Sequence, residues 1–413
     1  MRQPKLPVIR FFQSAALIVG TLTLLGCAGG QKPAAVEVTA PAPKPVEPEA
    51  SSARLVDPNG RVVIALLAPT SAEGKRARAA AQDMVTAAQM AREAGSPGNV
   101  QLKVYDTKGE PDSAAAAAQA AMRDGAALII GPLFAATTEA VGPVAAEFGV
   151  NVLSFSSDAK VAGENVWVLG KLPQQELARV MSYAGSQGVV RAYLAHPENR
   201  YGQFIADEFD AAATNAGLST GNVTSYPRTF KGIEAAAKPV AEQIVAETEA
   251  MEPGQSAVLV ADTGDALRSM TSFLNYYDVA PRHVKYIGLS RWMDPKNLKE
   301  ATLIGGWFAA PDPDLKTDFA ERFAAENERR PTPLASISYE AMGAVNAMLV
   351  DAQSTGSAPF QADAITTAAG FAGVDGPFYL TSDGLNNRAL AILTVARDGF
   401  RVVDPAPVGA PNS

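Results

Sequence analysis

The sequence is poor in cysteine, histidine and charge. Its 413 residues include 1 Cys and 2 His, which excludes a disulfide framework within the chain and a zinc site built mainly from Cys and His. Charged residues make up only 19% against 47% hydrophobic, so a sizeable core can be buried and global disorder is excluded. There is no Gly-rich phosphate loop and no fixed-period repeat. Positive charge is short as well: the formal net charge is -8, and such a surface repels phosphate backbones, so no nucleic-acid partner is expected. The surroundings of His196 and His283 suggest no Ser-His-Asp or Cys-His arrangement, and Asp312 and Asp314 read as loop and helix-start caps. No catalytic residue, metal or cofactor is therefore expected.

What is present begins with an address. Met1 to Arg10 is basic, and Phe11 to Leu25 is apolar over about 15 residues, short for a bilayer-spanning helix. The run ends in Leu24-Leu25-Gly26-Cys27, where small Gly26 admits a peptidase and Cys27 offers the chain's sole thiol. This segment resembles the lipobox of bacterial lipoproteins, although Leu25 is bulkier than that pattern's usual residue. The resemblance implies removal of residues 1–26 and acylation of Cys27, with the lipid as the only contact to a membrane. Ala28 follows where Asp would retain such a protein at the inner membrane, which favours the outer membrane over the inner. Residues 28–58 are rich in Pro and Ala around Ala40-Pro41-Ala42-Pro43-Lys44-Pro45, and proline's fixed φ and missing donor favour extended polyproline conformers. At ~3.1 Å per residue, about thirty residues reach roughly 90 Å.

From Arg61 the chain alternates strands and helices. Val62-Val63-Ile64-Ala65-Leu66-Leu67 is a continuous apolar run closed by Pro69, as expected of a strand buried on both faces. A helix over 75–94 follows, then strands at 100–105, 126–130 and 150–155 separated by helices at 112–123 and 136–148. The Ala run 114–118 predicts close helix-to-sheet packing. After Gly170-Lys171-Leu172-Pro173 the alternation restarts, with strands at 189–195, 218–226, 256–261 and 284–289 between helices at 174–187, 201–216, 231–250 and 264–277. Late helices at 316–329, 335–351 and about 361–369 precede strands at 376–380 and 389–395, joined by a turn at Asp383-Gly384. Such units imply right-handed crossovers and parallel sheets covered on both faces, in two sheets rather than one.

The order of several short motifs carries a family resemblance. Val104-Tyr105-Asp106 follows the second strand, Gly131-Pro132 the third, and Val152-Leu153-Ser154-Phe155-Ser156-Ser157 includes the fourth; Asn199-Arg200-Tyr201-Gly202 follows the first strand of the second half. Over residues 60–404 the chain resembles type I periplasmic binding proteins of the leucine/isoleucine/valine-binding branch. The resemblance implies an α/β fold of two Rossmann-like lobes with parallel sheets joined by a three-strand hinge. Crossings near 170, 302 and 375 would make lobe one 59–170 plus 302–375, lobe two 171–301 plus 376–404, and 405–413 a tail.

Ligands of open parallel sheets lie beyond the carboxyl ends of the strands, beside helix N-termini. In lobe one that rule selects Thr70, Ser71, Phe134, Thr137, Thr138, Ser154, Ser156 and Ser157, where hydroxyls and backbone N–H groups beside a helix start suit an anion; a single Ser or Thr here reads first as a helix cap, and the cluster from three loops as a pocket. In lobe two it selects Tyr201, Asp262, Thr263, Ser290, Arg291 and Trp292. By resemblance Tyr201 matches a ligand-stacking tyrosine, whereas a guanidinium lying over the neighbouring indole is the plain reading of Arg291-Trp292. Arg291 stands where an amino-acid pocket keeps an acid, with Asp262 the available substitute, which weighs against free amino acids and leaves an amino-acid-like or anionic small ligand open. Tyr339 either covers the cleft or packs in the core.

Two further stretches, Gly288-Leu289-Ser290-Arg291-Trp292 and Gly373-Val374-Asp375-Gly376 through Asp383-Gly384-Leu385-Asn386-Asn387-Arg388, resemble bacterial penicillin-binding protein activators. That likeness implies a non-catalytic, lipid-anchored regulator of peptidoglycan synthesis whose partner is a cell-wall synthase, although the N-terminal helical repeat domain of enteric activators has no counterpart here. The other function the resemblance implies is the substrate-binding component of an amino-acid or amide ABC importer, partnered by a permease and closing on its solute by a hinge.

Overall fold

In the computed structural model, residues 61–97 and 99–407 are described; the expected leader, Cys27 and the 28–58 tether lie outside them. The first sheet is formed by β1 (Val62–Ala68), β2 (Val100–Asp106), β3 (Ala126–Ile130), β4 (Asn151–Ser154) and β5 (Val166–Val168). They are hydrogen-bonded in the order β2-β1-β3-β4-β5, every pair parallel. All seven residues of β1 are buried, because the sheet is covered on both faces. Between the strands run α1 (Lys75–Gly95), α2 (Pro111–Arg123) and α3 (Ala135–Glu147). Ala114, Ala117 and Ala118 are buried against the sheet, where methyl side chains let α2 approach closely.

The second lobe repeats the scheme with α4 (Pro173–Ser186), β6 (Arg191–Pro197), α5 (Arg200–Asn215), β7 (Ser219–Tyr226), α6 (Phe230–Thr248), β8 (Ser256–Val260), α7 (Gly264–Tyr276), β9 (Val284–Gly288) and β10 (Trp307–Ala310). Back on the first lobe, α8 (Pro313–Asn327) and α9 (Ala335–Thr355) precede a one-turn α10 (Ala362–Ile365) and the ribbon of β11 (Phe378–Leu380) with β12 (Asn386–Arg388). The chain then adds β13 (Ala391–Ala396) antiparallel to β10 and β14 (Gly399–Asp404) antiparallel to β13, giving the order β14-β13-β10-β9-β8-β6-β7. Helices α1 and α9 cover one face of the first sheet and α2 and α3 the other; α6 and α7 face α4 and α5 across the second.

Two expected lobe bounds need correction. Strand β10 belongs to the second sheet, so the return to lobe one lies at 311–312 and not near 302. Phe378 and Leu380 of the ribbon pack in the lobe-one core, so the last passage lies at 389–390 and not near 375. The turn at Asp383-Gly384 closes this ribbon and does not join the ribbon to β13. Short β5, β10 and β12 and the terminal β14 escaped the sequence reading. Trp307–Ala310, for example, is an apolar run of four wedged between Gly305-Gly306 and Pro311.

Backbone crowding marks the first passage. A Cβ on Gly170 would overlap the carbonyl of Ser156, whereas one on Gly163 would meet nothing within 4 Å. Gly170→Ala should therefore cost about 1–3 kcal/mol or more, as overpacking does, and Gly163→Ala should stay within about 0.5 kcal/mol of wild type. Urea unfolding of the two purified variants checks the contrast.

Candidate functional site: the cleft and the charged hinge

Two adjoining cavities of about 520 and 560 Å³ open at the carboxyl ends of the two sheets. Both are lined by Leu133 and Phe134 after β3, Ser157 after β4, Pro173 and Tyr201 at helix starts of the second lobe, and Arg291 after β9. This is the position that the parallel-sheet rule selects. Asn199 caps α5 by accepting from the Gly202 N–H at 2.9 Å, which sets Tyr201 at the first turn of the helix. The Arg291 guanidinium lies 3.6 Å from the centroid of the Tyr201 ring. Burial, with Glu176 nearby, pushes the Tyr201 hydroxyl's pKa well above its ordinary value. Across the mouth, Arg200 of lobe two meets Asp158 of lobe one at 2.9 Å.

The structure divides the sequence-selected residues. Phe134, Ser156, Ser157, Tyr201, Ser290 and Arg291 line the cavities. Thr70 and Ser71 do not; Ser71 donates its amide and hydroxyl to Asp106. Thr137 donates to the Phe134 carbonyl at 2.7 Å, and Ser154 and Thr138 share a buried hydrogen bond of 2.7 Å, so these hydroxyls serve the helix start and the sheet. Asp262 is buried and held by Tyr226 at 2.9 Å and Arg228 at 3.1 Å, which leaves it away from the cleft and unable to replace the missing acid. Tyr339 packs its ring 5.0 Å from Phe319 beneath α8, outside the cavity lining. Arg291 lies over Tyr201, not over an indole, because Trp292 is fully buried and donates to the Val260 carbonyl at 3.0 Å. Gly288 makes room for that indole, since a Cβ there would overlap it.

Sequence reasoning missed the charged floor of the cleft. Glu340 sits in the apolar helix α9 with its side chain 1% exposed. It receives Arg388 Nη1 at 3.0 Å and Nη2 at 2.8 Å, a two-pronged pair, and the Asp375 amide at 2.5 Å. Asp375 in turn is bound by Lys171 at 3.1 Å, Lys316 at 2.6 Å and the Ser336 hydroxyl at 3.1 Å. Asn386 closes the arrangement by donating to the carbonyls of Val168 and Gly170, both at 2.8 Å. Residues of the first passage, of α8 and α9 and of the ribbon before the last passage thus meet here. Glu176, fully buried at the start of α4, accepts the Ser290 amide at 3.0 Å and hydroxyl at 2.6 Å. Burial pushes the Glu176 pKa up, against the opposing pull of Ser290 and Lys171. Burial and the neighbouring Lys171 push the Lys316 ammonium down to about 7. A signal existed: Glu340 is the carboxylate that falls among the mostly apolar buried residues of Ala335–Thr355, where it demands a partner.

Among the described residues no group of three or more His, Cys, Asp or Glu side chains could hold a metal ion. A family profile described as periplasmic binding protein matches residues 61–400, and the chain belongs to that family, one of binding proteins found in the periplasm. A branched-chain amino acid ABC transporter protein of Rhodopseudomonas palustris superposes with a TM-score of 0.67 at 17% identity, covering 85% of this chain and 100% of that one. The leucine-binding protein LivK of Thermotoga maritima gives 0.57 at 17% identity, over 84% of this chain and 99% of that one. These likenesses establish the two-lobed type I fold. The penicillin-binding protein activator LpoA of Pantoea ananatis is 30% identical over 165 residues, which are 38% of this chain and 23% of that protein. The chain thus spans about a quarter of the length of this relative.

Removing one partner of a buried pair strands the other. Glu340→Leu or Arg388→Met alone should cost about 3–5 kcal/mol, and the Glu340→Leu/Arg388→Met double variant should recover part of that loss. Denaturant midpoints of the three proteins check this; single variants within about 1 kcal/mol of wild type would contradict it.

Proposed function

We propose that this member of the periplasmic binding protein family is a non-catalytic, lipid-anchored clamp that docks on a cell-wall synthase and regulates peptidoglycan synthesis. The observation that carries the reading is that the protein's own groups bridge the cleft. Arg200 pairs with Asp158 from lobe to lobe across the mouth, while at the floor Lys171 of the first passage and Arg388 of lobe one are neutralised by the lobe-one carboxylates Asp375 and Glu340. A receptor that closes by hinge motion on a solute leaves such polar groups for the ligand to satisfy; here they satisfy one another. The stretch similar to LpoA, a protein described as a penicillin-binding protein activator, supports the same reading. Acylation of Cys27 at the outer membrane would let the Pro-rich tether present the clamp across the wall space, where contact with a synthase takes place.

A second reading, the solute receptor of an amino-acid or amide ABC importer working with a permease, draws on the cavities themselves and on the likeness to ABC transporter proteins over the whole body.

Reconstitution separates the two. The full-length lipidated protein, added to a purified bifunctional synthase from the same cell, should raise the rate of glycan polymerisation severalfold, while leucine or glutamine should leave its melting temperature unchanged. No change in rate, combined with a melting shift of several degrees on adding leucine or glutamine, would replace the regulator with the receptor.

A further inference from the structure

Away from the cleft, lobe two carries an open groove of about 630 Å³ along α6 and α7, which shares no lining residue with the cleft cavities. Phe230, Phe273 and Tyr276 line it, and their exposure follows from their places on the helices. Thr229 caps α6 by accepting the Gly232 N–H at 3.1 Å, so Phe230 is the first helical residue. A helical side chain lies back over the preceding turn; Phe230 has no such turn, and its ring is 66% exposed. Phe273 and Tyr276 fall on one face of α7 by their i, i+3 spacing, and Tyr276 is 76% exposed. Apolar residues scattered singly over a surface need no explanation, whereas rings gathered along one groove mark an interaction site.

The rings meet edge to face. Phe230 and Phe273 lie 5.3 Å apart at 61°, and Tyr276 lies 5.0 Å from its neighbour Tyr277 at 77°. Rings set at such angles form slots for small rigid rings and not the coplanar platform on which a sugar lies flat. The walls are mostly helix faces, whose backbone groups are bonded within the helices, so an added strand would find no edge to pair with and its amides would go unmet. Proline has no amide donor and holds an extended conformation in advance. The charge along the groove adds one demand. Arg268 is occupied by Asp265 and by Asn297 at 2.9 Å. Glu300 accepts the Thr302 hydroxyl at 2.9 Å through Oε1; its Oε2 has no hydrogen-bond partner, and Glu300 no ion pair, among the described residues. Lys231, Lys296 and Lys299 neighbour the groove in sequence but do not line it. We propose that this groove docks an extended proline-rich segment of a partner protein, its prolines among Phe230, Phe273 and Tyr276 and a lysine or arginine of the segment on Glu300. The surface goes beyond the wall-synthase reading and is independent of it, because a regulator and an importer receptor each have a protein partner.

Fluorescence anisotropy on the purified full-length protein tests the assignment, with a labelled, end-blocked peptide of prolines around one central lysine as the probe. The peptide should bind saturably below millimolar concentration, and glutamate in place of its lysine should weaken it about ten-fold, the loss expected when one charge-assisted contact goes unmade. Phe230→Ala and Tyr276→Ala should each weaken the lysine peptide about five-fold or more, as truncation of an interface aromatic does. Glu300→Gln should weaken the lysine peptide and bring the two peptides to equal affinity. Because both rings are largely exposed, the alanine variants should keep the wild-type melting temperature, so a loss of binding is read on folded protein. An N-acetylglucosamine oligosaccharide, added as competitor, should not displace the peptide. The proposal is overturned by no saturable binding of the lysine peptide, by equal binding of the glutamate peptide to the wild-type protein, or by unchanged affinity in the Phe230→Ala/Tyr276→Ala double variant. Displacement by the oligosaccharide would overturn it as well and assign the groove to a sugar chain.

Discussion

A carboxylate placed inside an apolar helix has to be neutralised where it lies, and in this protein Glu340 organises the hinge by being neutralised. Its two oxygens take the fork of Arg388 and the amide of Asp375, and the Asp375 carboxylate then collects Lys171 and Lys316. The charges come from α9, α8, the ribbon and the first passage, so one buried network fixes elements that are up to two hundred residues apart in the chain. Removing any member leaves a charge in a poorly solvated site, which makes the network sensitive to single changes even if it adds little net stability over an apolar core. The glycines beside it have the same cause: a Cβ on Gly373 would come within 2.7 Å of Glu340 Oε1.

That hinge sets what the cleft can do. The mouth of the cleft is spanned by Arg200 and Asp158, and the floor charges are paired among themselves. The walls between them are mixed, with Leu133, Phe134 and Pro173 beside Lys160, Asp207 and Arg291. Such a surface suits a protein that holds a fixed shape toward a partner, a use that requires no bond-making chemistry and is consistent with a family of binding proteins.

Much of the fold was legible because the long strands announce themselves. Val62–Ala68 is buried on both faces and therefore an unbroken apolar run, and Ser256–Val260, buried likewise, is apolar after its first residue. The lobe bounds were less legible, since β5, β10 and β12 have only three or four residues each and take their strand character from neighbours in the sheet. Position at a strand end selected Phe134, Ser156, Ser157, Tyr201, Ser290 and Arg291, which line the cavities. The same rule could not tell a hydroxyl facing the cleft from one capping a helix or tying two strands, as Thr137 and Ser154 do. The stretches around Trp292 and Asp375 were chosen by resemblance; the structure gives them a physical reason, an indole seated on Gly288 and a hinge assembled around Glu340. Lys171, Glu340 and Arg388 are too far apart in sequence for any local pattern to join them.

Native-state hydrogen exchange tests the central role of the hinge most directly. If the buried network fixes the passages between lobes, the amides of Val168 and Asp375, which donate to the Gly384 carbonyl and to Glu340, should exchange only with global unfolding, as slowly as those of β1 and β8. Exchange of these two amides through a low-energy opening, while β1 and β8 stay protected, would show that the network opens without global unfolding and would contradict its place at the centre of the structure.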